Sequence, residues 1–345
     1  MRYPRSVYRV FDRMLSGRHG KRSWPTSFAD RLTHPVPGSR AVRKLIAEGG
    51  MKPDLSEVDQ IPVQPAAELP HAGAGEVVAT WVGHASFVLQ IGGLVVLTDP
   101  VWSRRIPGVR PRFTPPGLPW EALPPVDAVV ISHNHFDHLD APTIRRLPRD
   151  VLMLVPGGLG WWFRRLGFTA VEELDWWESV RLGAVQFQFV PVHHWSRRTL
   201  FDGCQSLWGG WLLEADADPA TAAPVRRVFF AGDSAYGPYF TEIGQRCGPV
   251  DLALMPVGAY LPRWFMKPLH MNPAEAVRAC GDLGAQRMAT MHWGTFALSA
   301  EAPLEPLRQA RQAWQASGRA AEDLWDLAVG QSRTLHADLT APVTD

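Results

Sequence analysis

Ile131-Ser132-His133-Asn134-His135-Phe136-Asp137-His138 sets three histidines and an aspartate within six positions, directly after an apolar run. One histidine in a loop is ordinarily solvated or hydrogen-bonded. Three imidazoles this close would repel one another if charged and compete for the same acceptors if buried and neutral. A cation resolves the conflict by taking the nitrogen lone pairs. In an extended loop His133 and His135 project to one side, whereas Asp137 and His138, beyond a bend, reach a different point, so two adjacent metal ions suit the segment better than one. Further donors stand at the ends of other apolar runs, in Val192-His193-His194-Trp195, Ala231-Gly232-Asp233-Ser234 and Met291-His292-Trp293. Histidine and carboxylate donors without thiolate have the character of a catalytic rather than a structural zinc site. Cys204, Cys247 and Cys280 are far apart and include no Cys-x-x-Cys pair, so they support neither a thiolate zinc site nor a disulfide framework.

Such donors need rigid elements behind them. From Val77 onward short β-rich runs follow one another at 77–81, 87–91 and 94–98, the last two joined by Gly92-Gly93, a hairpin signal. Further strands are expected at 128–132, 151–155, 185–192, 208–214, 228–231, 252–256 and 288–291. Asn272-Pro273-Ala274-Glu275 combines an N-cap residue, a proline at the first helical position and a capping-box acid, so a helix should run from Pro273 to Leu283. Residues 304–316 read as another. Strands and helices in this succession give an α/β chain with two mixed sheets flanked by helices.

Ahead of this body, residues 49–76 contain Gly49-Gly50, Pro53, Pro62, Pro65 and Pro70 and read as an irregular connection. Residues 1–24 carry seven basic side chains (Arg2, Arg5, Arg9, Arg13, Arg18, Lys21, Arg22) against Asp12, with Val7, Phe11, Met14 and Leu15 at helical spacing. A basic amphipathic helix there would either lie peripherally on an anionic membrane or pack on its own domain. The chain is 345 residues long, 46% hydrophobic and 20% charged, with a net charge of +1, which excludes disorder and disfavours nucleic acid as a partner. No run of about 18 apolar residues signals a membrane span, and no secretory signal is evident, so a cytoplasmic location is expected.

The segment His133 to His138 resembles the His-x-His-x-Asp-His signature of the metallo-β-lactamase superfamily. The segments G-H-A-S-F, L-T-D-P-V-W-S, P-P-V-D-A-V-V-I-S-H-N-H-F-D-H-L-D, E-L-D-W-W-E, H-W-S-R-R-T-L, F-F-A-G-D-S, G-A-Y-L-P-R-W-F-M-K and M-H-W-G-T-F-A-L narrow this: from about Val77 to about Leu304 the chain is similar to the N-acylphosphatidylethanolamine-hydrolysing phospholipase D family. The resemblance implies a metallo-β-lactamase-like αββα sandwich over residues 77–345, with residues 1–76 packing on it. It implies two Zn2+ per chain, or another divalent transition metal, one held by His133, His135 and His194, the other by Asp137, His138 and His292, with Asp233 bridging. Spacing alone does not choose between His193 and His194; the family ligand directly precedes the tryptophan, which favours His194 and leaves His193 beside the ligands.

Asp99, in L-T-D-P, resembles an early aspartate that orients the ligands, and His84 either assists it or is a hydrogen-bonded turn residue. His270 matches a family histidine that binds the substrate phosphate or aids proton transfer, its alternative being a cap or surface role. Asp137, Asp233 and His270 are the expected catalytic side chains. The implied activity is hydrolysis of a phospholipid phosphodiester of the N-acylphosphatidylethanolamine type to phosphatidic acid and N-acylethanolamine, by in-line displacement at phosphorus. Alternatives are a metal-dependent hydrolase of a soluble sugar-phosphate lactone or nucleotide phosphodiester, and a non-catalytic metal-binding or sensing protein.

Overall fold

The computed structural model describes residues 22–221 and 223–337. The basic segment expected to form a helix therefore lies outside the described residues except for Arg22–Trp24. The strands are β1 (Val77–Gly83), β2 (Ser86–Ile91), β3 (Leu94–Thr98), β4 (Ala128–Val130), β5 (Leu152–Pro156), β6 (Val171–Leu174), β7 (Ser179–Leu182), β8 (Val185–Val190), β9 (Gly210–Ala215), β10 (Arg226–Phe230), β11 (Val250–Pro256), β12 (Ala285–Met291), β13 (Leu324–Trp325) and β14 (Ser332–Leu335). They form two seven-stranded mixed sheets, ordered β14-β1-β2-β3-β4-β5-β6 and β13-β12-β11-β10-β9-β8-β7. The helices are α1 (Ser39–Ala47), α2 (Ala141–Arg146), α3 (Gly160–Arg165), α4 (Tyr239–Cys247), α5 (Arg263–Met266), α6 (Pro273–Asp282) and α7 (Glu305–Ala316). The result is the αββα sandwich expected from the sequence.

Side-chain alternation along each strand decides which face meets which layer. Val77, Ala79 and Trp81 of β1 and Phe87, Leu89 and Ile91 of β2 share one buried cluster with Phe187 and Phe189 of β8, Trp211 and Leu213 of β9 and Val228 and Phe230 of β10. The alternate set from the first sheet, including Val88, Leu97, Val129 and Met153, packs with Ile144 of α2 and Phe163 of α3 in a second cluster. The outer face of the second sheet is covered by α4 and α6, with Phe229 edge-on to Phe240 at 6.3 Å. Burying each such side chain contributes roughly 1.5–3 kcal/mol, and this core holds the strand ends rigidly.

Strand directions then determine where the loops gather. β1 is antiparallel to β2 and β2 to β3, and β3 runs parallel to β4. β8 and β10 are each antiparallel to β9, while β10, β11 and β12 are parallel. The C-terminal ends of β1, β3 and β4 therefore lie on one edge of the first sheet, and those of β8, β10 and β12 on one edge of the second. Residues 22–76 pack against this sandwich: Phe28 is buried and donates its N–H to the Cys204 carbonyl at 2.7 Å, and Val63 bridges Val329.

Differences from the expected elements are local. β8 stops at Val190, because Pro191 has no N–H to continue a ladder. Strands β6, β7, β13 and β14 were not expected; they are two to four residues long, and sequences such as Val-Glu-Glu-Leu and Ser-Val-Arg-Leu carry little β pattern.

Candidate metal centre

Each candidate ligand follows a strand end and is fixed by a short-range device. After β4 the chain runs Ile131-Ser132 and tightens into one turn, with the N–H groups of His138 and Leu139 both donating to the His135 carbonyl at 3.2 and 2.8 Å. Asp140 then caps α2 by accepting from the Thr143 N–H at 3.3 Å. This turn sends His133 and His135 one way and Asp137 and His138 another. Asp233 follows β10 after Gly232, whose backbone lies so close to Ser132 that a Cβ there would stand 2.4 Å from the Ser132 Cβ. His292 follows β12 at a left-handed φ of 65°, and its N–H donates to the His84 carbonyl at 3.1 Å. His84 and Asp99 are also left-handed, at φ 57° and 33°; three such non-glycine residues around one site mark stored backbone strain.

The structure brings the seven expected ligands together. His133, His135, His194 and Asp233 have donor atoms all within 4.8 Å of one another, and so do Asp137, His138, His292 and His84. In the first group His133 Nε2 lies 2.8 Å from His135 Nδ1, and His194 Nε2 3.3 Å from the same atom. In the second, His138 Nε2 and His292 Nε2 are 3.4 Å apart and each 3.5 Å from Asp137 Oδ2. Asp233 faces both: its Oδ2 is 3.8 Å from His133 Nε2 and 3.2 Å from His138 Nε2, and its Oδ1 is 3.1 Å from His292 Nε2.

These separations fit a metal. Ligands about 2.0–2.1 Å from a tetrahedral ion stand roughly 3.3 Å from each other. Among the described residues Asp233 Oδ1, although 3.1 Å from His292 Nε2, and His292 Nδ1 are buried without hydrogen-bonding geometry to any partner, and a carboxylate oxygen left so among converging imidazoles is one that a cation would bind. The donor set, five imidazoles and two carboxylates without thiolate, suits divalent zinc or a similar transition metal.

The beta-lactamase superfamily domain matches residues 95–293. The chain belongs to the metallo-β-lactamase superfamily. It is 37% identical over 267 residues to the N-acyl-phosphatidylethanolamine-hydrolyzing phospholipase D 1 of Caenorhabditis elegans, covering 72% of this chain and 71% of that one, and it belongs to that family within the superfamily. An uncharacterized protein of Mycobacterium tuberculosis is 40% identical over 265 residues, 71% of this chain and 68% of its own. Among solved structures, the metallo hydrolase Igni18 of Ignicoccus hospitalis has the same fold, with a TM-score of 0.57 and 20% identity over 76% of this chain and 99% of its own.

The candidate ligands share one carboxylate among their hydrogen-bond partners. Asp99, fully buried, accepts from the Ser132 N–H at 2.7 Å, from Ser132 Oγ at 2.5 Å and from His138 Nδ1 at 2.7 Å. Because Ser132 gives its only hydroxyl proton to Asp99, its Oγ must accept from His133 Nδ1, 2.8 Å away. Asp99 thus fixes protons on the Nδ1 atoms of both His133 and His138, so that in each neutral ring Nε2 is the nitrogen left bare toward the centre. The Leu269 carbonyl does the same for His194, accepting from its Nδ1 at 3.0 Å. His84 Nε2 donates to Asp137 Oδ2 at 2.9 Å, and its ring centroid is 3.9 Å from that of His292.

His270 Nδ1 is buried without a hydrogen bond, 3.9 Å from Asp233 Oδ2. His193, expected beside the ligands, turns its ring away: it hydrogen-bonds Thr33 and stacks between His34 and Tyr239, at ring distances of 5.1 and 4.6 Å. Its link to the centre runs through its backbone N–H, which donates to Ser234 Oγ at 3.1 Å.

Charge and burial divide the histidines. Burial, with neighbouring imidazoles, pulls His84 and His135 down to about 3 and His194 to about 4, and holds His133 and His270 well below the usual value. Burial also opposes charge on His138 and His292, but Asp233 and Asp137 outweigh it, lifting His138 well above its usual value and His292 to about 9. The same histidines overcome burial to hold Asp137 and Asp233 well below the carboxylate range.

Arg198 was not singled out from the sequence, where it is one of many arginines. Four residues beyond His194, it donates to the carbonyls of Asn134 and Leu139 at 3.0 and 2.7 Å and covers the Phe136 ring at 4.2 Å, gripping the ligand segment from outside.

Proposed function

We propose that this chain is a dinuclear zinc phosphodiesterase that hydrolyses N-acylphosphatidylethanolamine-type phospholipids to phosphatidic acid and N-acylethanolamine. The observation that carries this reading is the convergence of two donor triads on a shared carboxylate, Asp233, in a chain with 37% identity to the C. elegans phospholipase D. His133, His135 and His194 would hold one ion, Asp137, His138 and His292 the other, and Asp233 both. Two zinc ions, when bound, supply a water of near-neutral pKa and withdraw charge from phosphoryl oxygens.

The chain's own residues do the rest. Asp99, Ser132 and the Leu269 carbonyl keep the ligating nitrogens bare. His84 holds Asp137 in place through its hydrogen bond to Oδ2. His270, neutral through burial and without a partner at Nδ1 among the described residues, offers a hydrogen bond to a phosphoryl oxygen. In this reading residues 77–345 form the catalytic body and residues 1–76 pack on it.

The test is incubation of zinc-loaded protein with N-acylphosphatidylethanolamine and with a chromogenic soluble diester, products being identified by mass. Phosphatidic acid and N-acylethanolamine are the expected products. Cleavage of the soluble diester with the lipid untouched would reassign the substrate, and no cleavage of either by metal-replete protein would point to a binding role.

A further inference from the structure

Beside the metal centre the surface carries two apolar side chains that the fold leaves uncovered. Leu200 and Phe201 are 83% and 87% exposed, the most exposed large apolar residues among those described. They form the tip of the loop that begins just after His194, and Trp195 at its base lies 5.1 Å from the His135 ring. The loop is braced. Its neck is closed by the Cys204 N–H donating to the Ser196 carbonyl at 2.7 Å. Asp202 Oδ1 accepts from the N–H groups of Arg198 and Thr199 at 2.9 and 2.6 Å, and Arg198 ties the loop to the backbone of the ligand segment. The loop is therefore braced at its neck and its base adjoins the donors.

The surroundings are cationic. Arg197 in the loop, Arg145 on α2 and Arg165 on α3 are exposed and form no ion pair with another described residue, whereas their neighbours Arg146 and Arg164 pair with Glu121 and Glu173. Arg145 is close enough to act electrostatically on Arg198. Trp161, 61% exposed, stands one helical turn from Arg165 on the same face, and the adjacent Trp162 ring lies 6.0 Å from the Arg198 guanidinium. The loop's one carboxylate, Asp202, is already engaged by backbone N–H groups.

Two apolar side chains at an exposed tip, a tryptophan and a collar of unpaired guanidiniums match the chemistry of an anionic bilayer surface, with apolar groups entering the acyl boundary and cations at the headgroups. We infer that the Leu200–Phe201 tip, with Trp161 and the surrounding arginines, is the surface on which the protein sits on anionic lipid, bringing the metal centre to headgroup phosphates. This rests on the lipid reading of the site and assigns docking to residues other than 1–24.

The experiment is sedimentation of the full chain with vesicles of phosphatidylcholine alone and of phosphatidylcholine with phosphatidylglycerol. Wild type should partition preferentially onto the anionic vesicles. Leu200→Ser/Phe201→Ser should partition at least about tenfold less, and Arg197→Gln/Arg165→Gln should lose binding on anionic vesicles only. All variants should keep their thermal melt and their turnover of a soluble diester. Unchanged partition of the Leu200→Ser/Phe201→Ser variant would overturn the inference, as would a fall in its solution mass, which would make the tip a contact between copies of the chain. Vesicle binding through the tip without cleavage of N-acylphosphatidylethanolamine would sustain the docking surface while refuting the proposed substrate.

Discussion

Asp99→Asn is the perturbation that most directly tests how the centre is organised. Asparagine keeps the size of the side chain and tolerates the left-handed backbone at φ 33°, so the change isolates charge and hydrogen-bond polarity. In one orientation its amide NH2 replaces Oδ2 and faces His138 Nδ1 and Ser132 Oγ, 2.7 and 2.5 Å away in the native protein. His138 must then move its proton to Nε2, the nitrogen needed for a metal. Ser132 Oγ, now accepting from the amide, passes its own proton toward His133 Nδ1, which pushes His133 to the same wrong tautomer. In the flipped orientation the NH2 opposes the Ser132 N–H, whose acceptor stood at 2.7 Å, and a buried donor left unpaired costs about 1–3 kcal/mol.

The first orientation should cost about 10- to 100-fold in metal affinity, about 1.4–2.8 kcal/mol, in both donor groups because Asp99 serves a ligand of each, whereas the flipped one should show as lost stability of the metal-free fold. Competition against a chromogenic zinc chelator measures the affinity, and thermal melts with and without chelator separate metal loss from damage to the fold. If Asp99→Asn binds zinc within about threefold of wild type and melts like wild type without metal, the tautomer argument is wrong.

Elemental analysis after reconstitution should find close to two metal ions per chain; at most one would defeat the dinuclear reading. Asp233→Asn should reduce both metal content and activity far more than His193→Ala, whose ring faces Thr33 and Tyr239 instead of the donors, and equal losses would mean the ligand set is misassigned. Zinc binding near neutral pH should release protons, because His138 lies well above its usual value and His292 at about 9 in the metal-free protein and both must deprotonate to ligate. Affinity should therefore climb with pH through the range in which His138 and His292 lose their protons, His292 near 9, and calorimetry in buffers of different ionisation enthalpy that detects no proton release would contradict this. Hydrolysis of the lipid in oxygen-18 water should place the label in phosphatidic acid; label in the N-acylethanolamine alcohol would rule out attack at phosphorus.

What the sequence made legible follows the range of the forces involved. Helix α6 was readable almost to the residue because its start is a local device: the Asn272 side chain accepts from the Glu275 N–H at 2.8 Å and Glu275 returns to the Asn272 N–H at 3.0 Å. The hairpin between β2 and β3 was equally local, since Gly92 and Gly93 adopt φ 55° and 79° in a turn few other residue pairs allow. The choice between His193 and His194 was not local. Successive side chains at a strand end point to opposite faces, and which face meets the donors depends on the register of β8 against β9 and on the bridge between His193 and Ala235. Arg198 was hidden for the same reason, as its acceptors at 134 and 139 are distant in the chain.

The three left-handed residues His84, Asp99 and His292 join the fold to the site. Each follows a strand whose C-terminal residues are buried, so the strand direction is set by the core and the abrupt turn after it must be absorbed by one residue. A β-branched side chain would resist that conformation, while a histidine or aspartate with a fixed hydrogen-bond partner is held in it: His84 by the Thr295 hydroxyl accepting its N–H at 2.7 Å, Asp99 by donating its N–H to the Val130 carbonyl at 3.0 Å, and His292 by the His84 carbonyl at 3.1 Å. The last of these contacts joins the two sheets directly, because His84 follows β1 and His292 follows β12. The strain at the donors is thus borne by the sandwich, and the arrangement of the ligands depends on both sheets being packed.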